Sequence, residues 1–358
     1  MKIRLIGQRN NLGIGTHYAN FADCLRRRSG IGHLVEEIDF INTNQFESAI
    51  NSSTDLDINI SFVAANIHDF FRGTIIQWTV FETTHIPVTI SECLTRADQV
   101  WVPSQWGRQV LLEHGINNSS IHVVPEGVNA DQYHATTRPK TANHPMKFLF
   151  VGKYETRKSI TELIDAWAEA FGNDSTVQLF IKTNYFKEAP ERLQQLQDHL
   201  NRVGLSNISA YWGFMSDQHM AELYESADVF VFPTKGEGWG LPIIEAAAQG
   251  LPIITVNWSA QQDYLDQIKN SCVFVDYDLV DVDCADYRLH YPGNTTWGQW
   301  AQPRSQSLVD GLRCAKNNYD TLARNAAVNA DLIRQQWSWT HSVDCAVKTL
   351  YQTGCLGN

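Results

Sequence analysis

The sequence predicts an α/β protein made of two parallel-sheet domains. Three observations carry this. Short, continuously apolar runs of buried-strand type alternate with helical patterns through both halves of the 358-residue chain. Each half opens in the same way, with a strand, a glycine-bearing loop and a helix: Lys2–Ile6 before Gly7–Gly15, and Met146–Val151 before Gly152–Ser159. Between the two openings, Thr136–Pro145 (TTRPKTANHP) is polar and proline-bearing, the composition of an interdomain linker.

Composition bounds the function. Hydrophobic residues at 43% and charged residues at 19% describe a soluble globular chain, long enough for two ordinary domains. A net charge of −11 opposes nucleic acid or an anionic membrane as the main partner. The seven cysteines are odd in number, scattered and never in C-x-x-C, which favours reduced thiols over a disulfide framework or a zinc site. MKIRLIGQRN lacks the apolar core of a signal peptide, and no run reaches the length of a membrane span. The expectation is a cytoplasmic protein, any membrane work being peripheral.

In the first half, Tyr18, Phe21, Ala22 and Leu25 recur at helical spacing behind the first loop. Gly13 and Gly15 lack the third glycine of the dinucleotide fingerprint, whose place Tyr18 takes, and the loop is too long for it. Glu36 and Glu37 do lie at the distance of that fingerprint's ribose-binding acid, so spacing alone leaves NAD open while the missing glycine opposes it. Ile58–Val63 and Thr74–Phe81 read as strands, the second running into Glu82-Thr-Thr-His85-Ile-Pro87; Ala97–Ser104 holds another, and Ile121–Asn129 a closing strand and exit loop. His85 before Ile-Pro reads as a satisfied loop residue more often than a catalytic one, and His17 and His68 are equally ambiguous. None of the 12 histidines has H-x-x-x-H spacing.

In the second half the first loop carries Lys153, Arg157 and Lys158, and Leu163, Ile164, Trp167 and Ala168 mark its helix. Val177–Lys182 and Ile208–Trp212 read as strands around an amphipathic helix, Glu188–Val203. Gly213-Phe214-Met215 then leads to Ser216, a cap for a helix over Asp217–Ser226. Ala227–Asp263 is the most informative stretch: strand Val229–Phe232, helix Pro242–Gln249, strand Leu251–Val256. Glu237, Gly238, Trp239 and Gly240 fall at a strand's carboxyl end, where open α/β sheets bind ligands. The amides of Gly240, Leu241 and Ile243 point out of the helix start and suit a phosphate. Glu245, in the first helical turn, follows Glu237 by eight positions; beside a phosphate both carboxylates suit sugar hydroxyls, whereas an acid in a first turn also stabilises any helix. Cys272–Tyr277 reads as a last strand and Asp278–Arg304 as irregular. Ser305–Lys316, Tyr319–Gln335 and Trp337–Thr353 read as helices.

The set EGWGLPIIEA between two strands resembles the E-x7-E signature of family-4 retaining glycosyltransferases of the GT-B fold (glycosyl transferases group 1). FLFVGKYETRKSITELIDAW resembles the first strand, loop and helix of that family's C-terminal domain. FETTHIP, ADQVWVPSQWGRQVLLEHGI and IHVVPEGVN resemble its N-terminal domain in the expected order, and WSWTHSVDCAVKTLYQT its final helix. The likeness covers nearly the whole chain and is strongest from Met146 to Asp263. It implies two Rossmann-like domains facing a central cleft: 1–140 on the acceptor side, 146–335 for the nucleotide sugar, and 336–358 a helix crossing back to the first.

The resemblance also implies an activity: retaining transfer of a sugar from a nucleotide diphosphate sugar to a hydroxyl of a glycan, lipid-linked or small-molecule acceptor, in glycan or glycoconjugate biosynthesis. Residue by residue, Glu245 would bind the donor ribose and Glu237 hydroxyls of the donor sugar. Lys153 and Lys158 would clamp the diphosphate, with Arg157 as the alternative if the loop is rotated by one residue. Gly213, Phe214 and Met215 would lie against the nucleobase, largely through backbone, with Trp239, Gly240 and Leu241 around the donor. Gly13 and Gly15 match the family's first glycine loop loosely. A histidine commonly contacts the donor sugar from the first domain; His85 is the candidate, although the slot falls nearer Glu82. No cofactor or metal is expected, since lysines and helix amides neutralise the departing diphosphate. The D-x-D pairs Asp276/Asp278 and Asp281/Asp283 come too late in the chain for the metal role such pairs play in the GT-A fold. The alternatives are a GT-B epimerase or hydrolase of nucleotide sugars and a non-catalytic nucleotide-sugar-binding module.

Overall fold

The apolar runs read from the sequence become the strands of two six-stranded sheets in the computed structural model, which describes every residue except Asn11, Ala64, 135–143, 186–188, 283–295 and Asn358. The linker core and Asp283 lie outside the described residues. The chain divides into two units: Met1–Gly127 with Tyr287–Gly298 and Trp337–Asn358, and Val128–Asp286 with Gln299–Gln336.

In the N-terminal unit, β1 (Ile3–Gly7), β2 (Val35–Asp39), β3 (Ile58–Ser61), β4 (Thr74–Trp78), β5 (Gln99–Val102) and β6 (Ile121–Val123) pair in the order β2-β1-β3-β4-β5-β6. All pairings are parallel. The central strands are apolar because both faces are covered. The edge strand β2 is different: of VEEID only Ile38 is buried. Its acids are neutralised by neighbours, Glu36 by Lys2 and Arg4 (both 3.1 Å), and Glu37 by Arg9 (2.7 Å) and Arg26 (3.0 Å). Both acids of the dinucleotide spacing are therefore engaged in the fold.

Helix Gly13–Arg27 begins at the glycines themselves, so the expected glycine loop ends inside a helical turn. A Cβ at Gly15 would lie 2.2 Å from Oδ1 of Asn10, so glycine allows the loop to fold against the helix start. Helix Trp339–Gln352 packs on this helix. Trp339 stacks on the buried His17 (5.5 Å, 25°), Asp344 pairs with Arg28 at 2.8 Å, and Ser342 Oγ donates to the Pro125 carbonyl.

In the second unit, β7 (Met146–Lys153), β8 (Val177–Asn184), β9 (Ile208–Trp212), β10 (Val229–Phe232), β11 (Ile253–Thr255) and β12 (Cys272–Phe274) pair in parallel in the order β12-β11-β10-β7-β8-β9. The strand order reverses between β7 and β10, a topological switch point. The stretch Asp278–Arg304, expected to be irregular, instead contributes most of an antiparallel pair, β13 (Tyr277–Asp281) and β14 (Gln299–Pro303). No described helix is long and apolar enough to cross a membrane.

Candidate active site

The loops leaving β7 and β10 at the switch point carry the charges. Glu237, 5% exposed, is gripped at a single oxygen: Oε1 accepts from Lys158 Nζ (2.6 Å), Arg157 Nη1 (2.9 Å) and Thr234 Oγ1 (2.6 Å). Its amide donates to Ser259 Oγ at 2.9 Å. Glu237 Oε2 accepts nothing among the described residues. Burial opposes its ionisation, but Lys158 and Arg157 hold its pKa below the ordinary glutamate value. Burial likewise pulls the Lys158 pKa down, aided by Arg157 and resisted by Glu237 and Glu155.

The sequence left Lys158 and Arg157 as alternatives; the fold brings both to Glu237. Lys153, half-exposed at the end of β7, lies 3.6 Å from Glu155, which also takes Arg157 at 3.4 Å. Backbone bonds tie the loops together: Lys235 N–H donates to the Arg157 carbonyl and Ala301 N–H to that of Lys235, both at 2.8 Å. Lys235 closes the arrangement through Glu162 at 2.8 Å.

Gly240 adopts φ +90, and a Cβ there would lie 2.8 Å from the Tyr264 hydroxyl. That hydroxyl donates to the Trp239 and Gly240 carbonyls, both at 3.1 Å. Glycine is thus required on two counts, its left-handed conformation and the close approach. The turn delivers the chain into helix Leu241–Ala248. The amides of Gly240 and Leu241 donate to nothing among the described residues. The Ile243 amide, expected to be free, instead bonds the Gly240 carbonyl at 2.9 Å, because the helix closes its first turn one residue earlier than the sequence implies. Trp239 is 2% exposed and packs edge-on against Tyr264, which sets its ring beneath the loop.

The early helix start also moves Glu245 out of the first turn, so its role there is not to cap the dipole. Its carboxylate accepts from Tyr224 Oη at 2.9 Å and is also bonded by Tyr133. Burial raises its pKa to about 7; the two tyrosines and Lys182 restrain the rise, while Asp217 adds to it. Nothing in the spacing of Tyr133, Lys182 and Tyr224 marks them in the sequence as its neighbours. Beyond β9, Gly213 donates to Thr183 and Phe214 stands half-exposed, its carbonyl accepting from Tyr211 Oη. Met215 is partly covered, and Ser216 caps helix Asp217–Glu225. In the N-terminal unit, Gly13 has open space at its Cα, Glu82 is half-buried, and His85 lies 3.2 Å from His114, a residue that sequence reasoning did not single out. Among the described residues no group of three or more His, Cys, Asp or Glu is placed to hold a metal ion.

Residues 136–281 match the family model described as glycosyl transferases group 1. Mannosylfructose-phosphate synthase of Agrobacterium fabrum is 26% identical over 160 residues, 41% of this chain and 35% of that protein. The serotype-specific mannosyltransferase WbdA of Escherichia coli is 34% identical over 111 residues, 30% of this chain and 13% of that protein. The match thus spans 35% or less of the length of these curated relatives. The crystal structure of Anabaena HepE in complex with UDP and glucose superposes with a TM-score of 0.73 at 15% identity, over 98% of this chain and 100% of that one. With its two parallel six-stranded sheets the chain has the GT-B fold, and its residues 136–281 are similar to the glycosyl transferases of group 1.

Proposed function

We propose that the protein is a metal-independent glycosyltransferase, moving a sugar from a nucleotide diphosphate sugar to an acceptor hydroxyl with retention of anomeric configuration. One observation carries this reading: a buried carboxylate, Glu237, held at Oε1 by Lys158, Arg157 and Thr234, whose Oε2, like the nearby amides of Gly240 and Leu241, has no partner among the described residues. As a glycosidic bond to a diphosphate breaks, negative charge grows on the leaving group. Arg157, Lys158, Lys153 and the two amides supply fixed positive ends for that charge, and they need no reorganisation when it forms. Glu237 Oε2 is then the acceptor for a hydroxyl of the donor sugar, and Glu245 the acceptor for a ribose hydroxyl. The printed names of the relatives, a mannosylfructose-phosphate synthase and a mannosyltransferase, and the UDP and glucose bound by HepE, support the same class of substrates.

The test is calorimetry with UDP, GDP and ADP in excess EDTA, followed by incubation of the matching nucleotide sugars with and without oligosaccharide acceptors. Binding should persist in EDTA, and donor consumption should require an acceptor. Affinity that collapses in EDTA and returns with Mg²⁺ would overturn the metal-free scheme. Donor turnover with no acceptor would identify an epimerase or hydrolase instead, and binding without any turnover a carrier module.

A further inference from the structure

The loop after β4 holds a second constellation, confined to the N-terminal unit. His85 follows the carboxyl end of that strand, where parallel sheets take ligands. Its Nδ1 lies 3.2 Å from Nε2 of His114, the residue closing helix Gln105–Glu113. His114 Nδ1 in turn lies 2.8 Å from the Val110 carbonyl oxygen. A carbonyl only accepts, so the hydrogen of His114 sits on Nδ1. In a neutral imidazole the other nitrogen is then a lone pair. Nε2 of His114 accordingly receives the Ile86 amide at 3.4 Å and must receive, not give, the hydrogen shared with His85.

The consequence passes along the pair. His85 carries its hydrogen on Nδ1, and its lone pair is at Nε2, which has no partner among the described residues. Burial lowers the His85 pKa, favouring the neutral ring. The backbone is pinned as well. Thr83 Oγ1 donates to the His85 carbonyl at 3.1 Å, and Gly298, at φ +72, lies so close that a Cβ would be 2.6 Å from the His85 nitrogen.

We propose that His114 is a positioning residue, holding neutral His85 as the Nδ1–H tautomer so that His85 Nε2 accepts a hydrogen bond from a hydroxyl of the sugar substrate. This rests on the sugar-transfer reading for its ligand, but the tautomer itself does not.

Long-range proton–nitrogen NMR of the ¹⁵N-labelled full chain distinguishes the two tautomers without substrate. In the wild type, His85 Nδ1 should be protonated and Nε2 bare. His114→Phe removes the acceptor, so the Nε2–H form should appear and kcat/KM fall about fivefold or more, the loss of one hydrogen bond. His114→Gln, whose amide oxygen can accept from His85 Nδ1, should restore the tautomer and most of the rate. Nucleoside diphosphate affinity reports folding in both variants. A wild-type spectrum with His85 Nε2 protonated would overturn the proposal, as would His114→Phe with tautomer and rate unaltered. A correct tautomer in a protein that transfers no sugar would instead refute the activity alone.

Discussion

A carboxylate that accepts from two tyrosines inside a fold is a different group from one that merely opens a helix. Glu245 titrates near pH 7 because burial disfavours its charge more than Tyr224 and Tyr133 favour it. A ribose hydroxyl bonds more strongly to the ionised form, so nucleoside diphosphate affinity should climb as pH passes through about 7 and flatten above it, as calorimetry can show. Stability runs the other way. A folded pKa above the ordinary 4.5 means the folded state binds more protons in between, so this group's contribution declines from pH 4.5 to about 7 and is constant beyond. Glu245→Ala should remove the pH dependence and weaken nucleotide binding about tenfold or more, the value of one charge-assisted bond. Glu237 and Lys158 should respond differently from each other. Glu237→Gln leaves Arg157 and Lys158 facing one another in a buried place, so it should destabilise by about 3–5 kcal/mol in denaturant unfolding. Lys158→Met leaves Glu237 still held by Arg157 and Thr234; its cost should be smaller, with turnover falling further than donor affinity.

At the scale of elements, the loop from β10 into helix Leu241–Ala248 depends on one glycine. Gly240→Ala meets both a left-handed backbone and the Tyr264 hydroxyl, so it should cost about 1–3 kcal/mol in thermal or denaturant unfolding and loosen nucleotide binding with it. An alanine variant as stable as the parent would mean the turn can be remade without its positive φ. This loop was legible in the sequence because strand, breaker and helix signals all lie within a few residues: FVFP, GWG and LPIIEAAAQG. The strands beside it were legible for a related reason, since burial on both faces leaves only apolar side chains. Strand β2 was not. Its VEEID pattern looks like solvent-facing chain, and the cations that neutralise it, Lys2, Arg4, Arg9 and Arg26, are distant in sequence. Glu237 and Lys158 stood out by motif, but the partners Thr234, Tyr133 and Tyr224 did not, because their roles arise from tertiary proximity alone. His114 sits in LLEHGI, an ordinary helix end, and only the opposing His85 distinguishes it.

At the scale of the molecule, the N-terminal unit is built from both ends of the chain. Its sheet is anchored by Arg4, wholly buried and 2.7 Å from Asp57. Burial would raise the Asp57 pKa, but Arg4 and the amides of Thr54 and Lys2 bring it down to about 2. That contribution is present above the ordinary 3.8 and is lost as pH falls through about 2, so acid unfolding should begin later in the parent than in Asp57→Asn. Trp339 closes the same unit from the other end by lying on His17, and Trp339→Ala should cost about 3–5 kcal/mol. Hydrogen exchange through helix Gly13–Arg27 should accelerate accordingly. Protein synthesis gives this arrangement a direction in time. When the ribosome has finished Gly127, about two hundred residues remain before Trp339, tens of seconds at ordinary elongation rates. Through that interval the N-terminal strands exist without the helix that covers His17, and the sheet of the second unit can form while the first waits. Nascent chains arrested ahead of Trp337 should therefore be cut by protease within Met1–Gly127, and resist once Trp339–Gln352 has emerged.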